Sequence, residues 1–171
     1  MADWKQKGIR QGKESVEKGR YSIFCIADWF LSKEPMPYDK VQGLCYYAQA
    51  WCYTLKGYKL TDTDFLAWPC GTVAPALYER FWYLGYEDIT VPEKGNLDVE
   101  PEDISLLEDI WVTYGDRTGN ALATLTCREF PWIEARVRYT EEEPFAAVIS
   151  PESMKTYYKS IYIGASCIIQ I

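Results

Sequence analysis

The stretch between Pro37 and Gly57, "YDKVQGLCYYAQAWCYTLK", constrains what this chain can fold into more than any other. Val41, Leu44, Cys45, Ala48, Cys52 and Leu55 recur at i, i+3, i+4, i+7, i+11 and i+14, which puts them on one stripe of a helix over 38–56. Gln42, Tyr46, Gln49 and Tyr53 fall on an adjacent stripe, each side chain ending in a polar tip. Pro35 and Pro37 separate this helix from the preceding segment, because proline cannot continue a helix and restricts the residue before it. Gly57 supplies a C-cap.

Around this helix the pattern is one of short elements. "RYSIFCIADWFLS" (20–32) is apolar on nearly every side, which predicts a central helix. Tyr58–Leu60 and Phe65–Trp68, with "TDTD" between them, predict a small hairpin. Val73, Leu77, Phe81 and Leu84 mark a helix closed by Gly85, with Thr72 as N-cap and Pro75 in the first turn. Residues 86–100 read as a loop or edge element. Pro101 opens a helix carrying Ile104, Leu107, Trp111 and Tyr114, and shorter helices follow over 118–126 and 131–137. Ser150-Pro151 is an N-cap followed by a first-turn proline, and the tail "YIGASCIIQI" is β-prone. With 171 residues, 48% of them apolar, the chain is long enough for one mainly α domain with a minor β element.

Charge divides the chain at residue 20. Residues 1–20 hold six basic against three acidic side chains, so a basic polar leader (1–19) precedes an acidic domain (20–171); with +3 on residues 1–20, the net charge of −7 leaves −10 on the rest. The leader is a solvated arm or one that docks on an acidic partner. The acidic body disfavours direct nucleic-acid binding, whose affinity rests on phosphate contacts. No apolar run reaches the length of a membrane span, and the polar N-terminus lacks a signal-peptide core, so a cytoplasmic protein is expected. Cys25, Cys45, Cys52, Cys70, Cys127 and Cys167 have no C-x-x-C spacing and are expected to be small buried hydrophobes without disulfides.

The chemistry of a catalyst is hard to assemble from these residues. There is no histidine, which removes the commonest general base and every His-containing metal set. "GIRQGKES" (8–15) has three residues between its glycines and Glu14 after Lys13, so it departs from a phosphate-binding loop. "TDTD" (61–64) lacks the glycine and distal glutamate of a calcium loop and fits turn chemistry. Glu141-Glu142-Glu143 fits a solvated charge run. The expectation is a binding protein without metal, cofactor or catalytic residues; an enzyme of carboxylate chemistry is the third reading.

Three segments in order carry a resemblance. "YDKVQGLCYYAQAW" (38–51), "FLAWPCGTVAPALYERF" (65–81) and "LATLTCREFPWIEAR" (122–136) resemble the Panacea, or SocA-like antitoxin, domain over roughly residues 20–160. That family shows a Y-Y-A-x-x-W helix, an A-W-x-x-G-P-V-x-P-x-V-Y segment and a later L-T-H-x-x-x-P-W segment. The matching structural positions are Trp51, Trp68, Gly71, Pro75, Pro131 and Trp132. Gly43 replaces the family's lysine, Thr72 its proline and Cys127 its histidine, and Pro69 and Cys70 are also unusual, so this is a divergent member. The resemblance implies a compact, mainly α fold from bacteria, prophages or phages that neutralises a toxin by direct contact, with delivery of the toxin to a protease as a further mode. A phage-encoded inhibitor of a host defence effector is the alternative. Trp51, Trp68 and Trp132 are expected in the core. Gln42, Tyr46, Gln49, Tyr53 and Tyr78 are the candidate partner-binding residues, because tyrosine offers rigid area with a polar tip; packing against the first helix is the competing reading.

Overall fold

The structure is a computed structural model that describes residues 17–90, 97–138 and 147–168, with side chains through residue 162. The leader up to residue 16, the glycine-bearing segment 8–15, Glu141–Glu143 and the last three residues lie outside the described residues. Helix α1 (Ile23–Leu31) is followed by strand β1 (Met36–Pro37), helix α2 (Tyr38–Lys56), strands β2 (Leu66–Trp68) and β3 (Gly71–Val73) and helix α3 (Pro75–Phe81). A 3-10 turn (Trp82–Leu84) and strand β4 (Asp88–Ile89) lead to helices α4 (Pro101–Tyr114), α5 (Gly119–Cys127), α6 (Phe130–Val137) and α7 (Pro151–Ile168). The fold is mainly α, as expected, with two small antiparallel sheets among the described residues.

Helix α2 occupies the centre. It packs against α1, α3, α4, α5 and α7, and every residue from Lys40 to Ala50 is buried. Its ends fall where the sequence placed them: Pro37 is the N-cap, and Gly57 closes the helix at φ 78°, donating its N–H to the Cys52 and Tyr53 carbonyls. A left-handed C-cap of this kind costs a side-chain-bearing residue about 1–2 kcal/mol and glycine nearly nothing. Helix α5 reaches α2 at Gly43, where an added Cβ would lie 2.7 Å from Leu122 Cβ. The family's lysine cannot occupy that spot while Leu122 is buried against it. Helix α1 is buried along most of its surface and starts at Ser22, whose hydroxyl accepts from Phe24 N at 3.3 Å.

The β element corrects the expected pairing. Strand β2 pairs with β3 in the register Leu66↔Val73, Ala67↔Thr72 and Trp68↔Gly71, turning at Pro69-Cys70. On the other edge of β2, Ala67 N donates to Ala147 O at 2.7 Å and Ile149 N to Phe65 O at 2.9 Å. Residues 59–61 pair instead with the chain entering α1: Arg20 N donates to Lys59 O and Tyr21 N to Leu60 O. The Asp62 carboxylate accepts from Ile23 N at 2.8 Å, so "TDTD" caps the start of α1. Gly71 sits at φ 139°, with Ala123 Cβ 3.1 Å from where its own Cβ would be, so both backbone and space demand glycine.

Smaller differences have local causes. The N-cap of α3 is Ala74, with Pro75 at the first position, because Thr72 is committed to the ladder with Ala67. Within 86–100, Asp88–Ile89 forms an edge strand on Met36–Pro37, while 91–96 lie outside the described residues. The tail is helical through Ile168: the Ser150 hydroxyl accepts from Ser153 N at 3.0 Å and starts α7, which overrides the β preference of the residues that follow. Cys25, Cys45 and Cys52 are buried and Cys127 half-buried, but Cys70 is exposed at the hairpin turn, against the expectation of burial. Cys167 lies beyond the described side chains. No helix among the described residues is long and apolar enough to cross a membrane.

Candidate functional site

The polar-tipped stripe of α2 faces inward. The Gln42 amide grips the start of α3, accepting from Ala74 N at 2.8 Å and donating to Ala74 O at 3.1 Å. Gln49 Oε1 accepts from both the amide and the hydroxyl of Thr61, each at 2.9 Å. Tyr46 is fully buried, edge-on to Tyr47 and Phe65, and Tyr53 is buried beneath Lys155, whose ammonium lies 5.5 Å from its ring centroid. The exposed face expected at Gln42, Tyr46, Gln49 and Tyr53 is therefore absent. The partners named here belong to α7, the N-cap of α3 and the 61–65 segment, and α1 also packs against α2. Burial pushes the Tyr46 and Tyr53 hydroxyls above the ordinary tyrosine range.

Beneath that stripe lies a carboxyl group that sequence reading missed. Glu129, buried at the start of α6, accepts from Tyr158 Oη at 2.5 Å and from Tyr47 Oη at 3.2 Å. The Tyr46 and Tyr158 hydroxyls are 3.4 Å apart, and Tyr114 stacks on Tyr47 at 4.0 Å. Burial raises the Glu129 carboxyl above its usual range, and the hydrogen bonds from Tyr158 and Tyr47 offset this only in part. A second buried carboxylate is held the opposite way. Burial works to raise Asp103, yet hydrogen bonds from Tyr58, Tyr21 and Lys56 outweigh it and leave the group below the usual carboxylate range. Arg20 adds a contact at 3.0 Å. Both clusters join distant segments of chain: Glu129 ties α2, α6 and α7 together, and Asp103 ties α4 to the entry of α1 and the exit of α2. Among the described residues no group of His, Cys, Asp or Glu is arranged to hold a metal ion.

Tyr78 differs from the other candidates. It is half-buried and lies at the centre of a run of rings, edge-on to Trp68 at 4.8 Å, edge-on to Tyr38 at 6.4 Å and stacked near Trp82 at 6.4 Å. Trp68 is 8% exposed, and its carbonyl accepts from Trp132 Nε1 at 3.0 Å. From this buried end the run climbs to the surface, where Trp82, Tyr83 and Tyr86 are 47%, 68% and 88% exposed. These three residues were not singled out from sequence. Their signal was three large rings crowded around Gly85, off the apolar stripe that ends at Leu84. Trp68 is in the interior as expected, whereas Trp51 and Trp132 are half-buried and lean on the core from outside. Trp51 Nε1 donates to Tyr114 Oη at 3.1 Å. Pro75 and Pro131 stand in the first turns of α3 and α6, where a missing N–H costs nothing.

The family model described as the antitoxin SocA-like, Panacea domain matches residues 41–133. This chain belongs to that family. The matched span of the Panacea domain opens in the first turn of α2 and closes in α6 just past Trp132, so it takes in the buried stripe, the hairpin and the rings around Tyr78 except Tyr38. Helices α1 and α7, which cover α2 from outside the matched span, complete the domain. No curated protein and no solved structure matches the chain. Membership associates the protein with toxin–antitoxin systems, and a toxin is the general class of partner this implies.

Proposed function

We propose that this Panacea domain is a non-enzymatic binding module that neutralises a cognate bacterial or phage toxin by direct protein–protein contact. The observation that carries the reading is the set of exposed aromatic residues Trp82, Tyr83 and Tyr86, the first of them joined through Tyr78 to buried Trp68. Large aromatic residues gathered at a surface are the composition of interface centres and of binding hot spots. The two buried carboxylates support the same reading, since each is spent on hydrogen bonds within the fold. The net charge of −7 favours a basic partner surface, and the same feature suits an inhibitor of a host defence effector that handles nucleic acid.

Co-expression with a toxic reading frame from the same locus tests the proposal. Growth should be rescued and a complex should co-purify. Replacing Trp82, Tyr83 and Tyr86 together with alanine should abolish both while the domain stays folded. Full rescue by the folded triple variant would remove the face. Rescue lost with the complex retained would point to delivery of the toxin to a protease. A locus of anti-defence genes without a toxin would favour the inhibitor.

A further inference from the structure

Basic side chains in this protein repeat one arrangement. Lys33 Nζ lies 4.5 Å from the Trp29 ring centroid and 2.5 Å from Glu108 Oε1. Lys40 Nζ lies 5.3 Å from the Trp111 centroid and 2.7 Å from Glu34 Oε1. The Arg20 guanidinium lies 5.0 Å over Tyr58 and 2.6 Å from Glu102 Oε1. Lys155 Nζ lies 5.5 Å from the Tyr53 centroid and 3.3 Å from Glu152 Oε1. In each case a cation lies close both to a ring and to a carboxylate. The ring attracts the charge through its quadrupole, and the carboxylate fixes where along the ring it settles.

The surface from Glu79 to Asp88 has the ring and the carboxylate, but among the described residues no cation that joins them. Trp82, Tyr83 and Tyr86 are exposed, and so are Glu79, Glu87 and Asp88. Glu79 precedes Trp82 by three residues at the end of α3, which places them on one side of the turn. Glu87 and Asp88 follow Tyr86 directly. None of the three carboxylates meets a basic side chain among the described residues. Arg80, in the same stretch, is turned towards α1, 4.6 Å from the Phe24 centroid and 5.4 Å from that of Phe81.

We propose that this face completes the arrangement with an arginine of a basic segment on the protein partner, its guanidinium stacked on Trp82, Tyr83 or Tyr86 and its N–H groups directed at Glu79, Glu87 and Asp88. This deepens the partner-binding reading above and rests on it for the identity of the partner. Arginine suits the site better than lysine, because a planar, weakly hydrated guanidinium can lie flat on a ring while its edge still donates to carboxylates. The acidic surroundings draw such a segment in and reject acidic ones.

The test uses the full chain, labelled with nitrogen-15, and a capped Gly-Arg-Gly-Arg-Gly peptide as probe. Peptides with citrulline or lysine in place of arginine serve as controls. The arginine peptide should shift the Trp82 indole N–H and the amides of 79–88. Citrulline, equal in shape but neutral, should bind about fivefold more weakly or worse. The E79Q/E87Q/D88N variant, whose substitutions are all at exposed positions, should lose the shifts and keep its spectrum elsewhere. Equal binding of the citrulline peptide, no shifts at this face, or shifts spread evenly over the acidic residues of α4 would each overturn the proposal. A chain that takes the arginine peptide here but neutralises no toxin would refute the function proposed above and leave this site standing.

Discussion

Two regions of this molecule are rich in the same residue types and put them to opposite use. On α2, Tyr46, Tyr47 and Tyr53 are buried, and the hydroxyls of Tyr46 and Tyr47 join those of Tyr158 and the Glu129 carboxyl. Around Gly85, Trp82, Tyr83 and Tyr86 stand at the surface, with Trp82 stacked near Tyr78. What separates the regions is the company their polar tips keep. A buried phenol must find a partner inside the protein, and α2 provides one because helices distant in sequence converge on it. A phenol at a turn is satisfied by water, which leaves its ring free for another molecule.

If the contrast is sound, substitutions in the two regions should differ greatly in cost. The largest effect is expected for Tyr46→Ala combined with Tyr53→Ala. Truncating a buried aromatic residue costs about 3–5 kcal/mol, so the pair should consume most of a domain's stability and leave no cooperative transition in urea. A double variant that melts normally would place these side chains at a surface after all.

Trp68→Ala lies between the regions and should cost about 3 kcal/mol, near the low end for a buried tryptophan. It should also loosen Tyr78 and hence Trp82, seen as loss of near-ultraviolet circular dichroism. Stability lost without any change in the exposed rings would mean that the two ends of the run are independent.

Glu129→Gln should produce a smaller, pH-dependent effect. A carboxyl whose proton is held more tightly in the folded than in the unfolded chain contributes fully below its unfolded pKa of about 4.3, and that contribution fades as pH rises through the folded value. Replacement by glutamine, which still accepts from Tyr158 and Tyr47, should flatten the decline in melting temperature towards alkaline pH. Asp103, held low, acts in the reverse sense: its contribution is present above about pH 4 and is lost on acidification. An unchanged slope in the glutamine variant would show that Glu129 titrates as it does in the unfolded chain.

The smallest effect on stability is expected at Tyr86. Tyr86→Ala should change the unfolding free energy by no more than about 0.5 kcal/mol, as for other exposed positions. Its effect should appear in toxin neutralisation instead. A clear loss of stability would mean that the ring packs against the fold.

Some of this could be seen in the sequence. Helix α2 was legible to the residue because Pro37 and Gly57 bound it and an unbroken stripe runs between them. The neighbouring stripe was misjudged because periodicity reports which residues share a face, and not whether another element covers that face. Gln42 finds Ala74, Gln49 finds Thr61 and Tyr46 finds Tyr158, none of them predictable from local spacing. The hairpin was half legible. The strand at 65–68 was expected, but its partner 71–73 was read as the entry to the next helix, because Thr72 before Pro75 resembles an N-cap and a glycine and two prolines disguise a short ladder. Glu129 went unnoticed because a single glutamate in a mixed segment looks solvated until tertiary contacts surround it.

The Tyr46–Tyr158 contact spans 112 residues of chain. A ribosome adding about 5–20 residues per second needs on the order of ten seconds to get from one to the other. During that interval α2 is already made while α7, which roofs much of it, has yet to leave the exit tunnel. The stripe that is so thoroughly hidden in the finished protein is therefore the part most open to chaperones and proteases at birth. How fast this protein accumulates relative to any partner depends on that wait as well as on the strength of the final core.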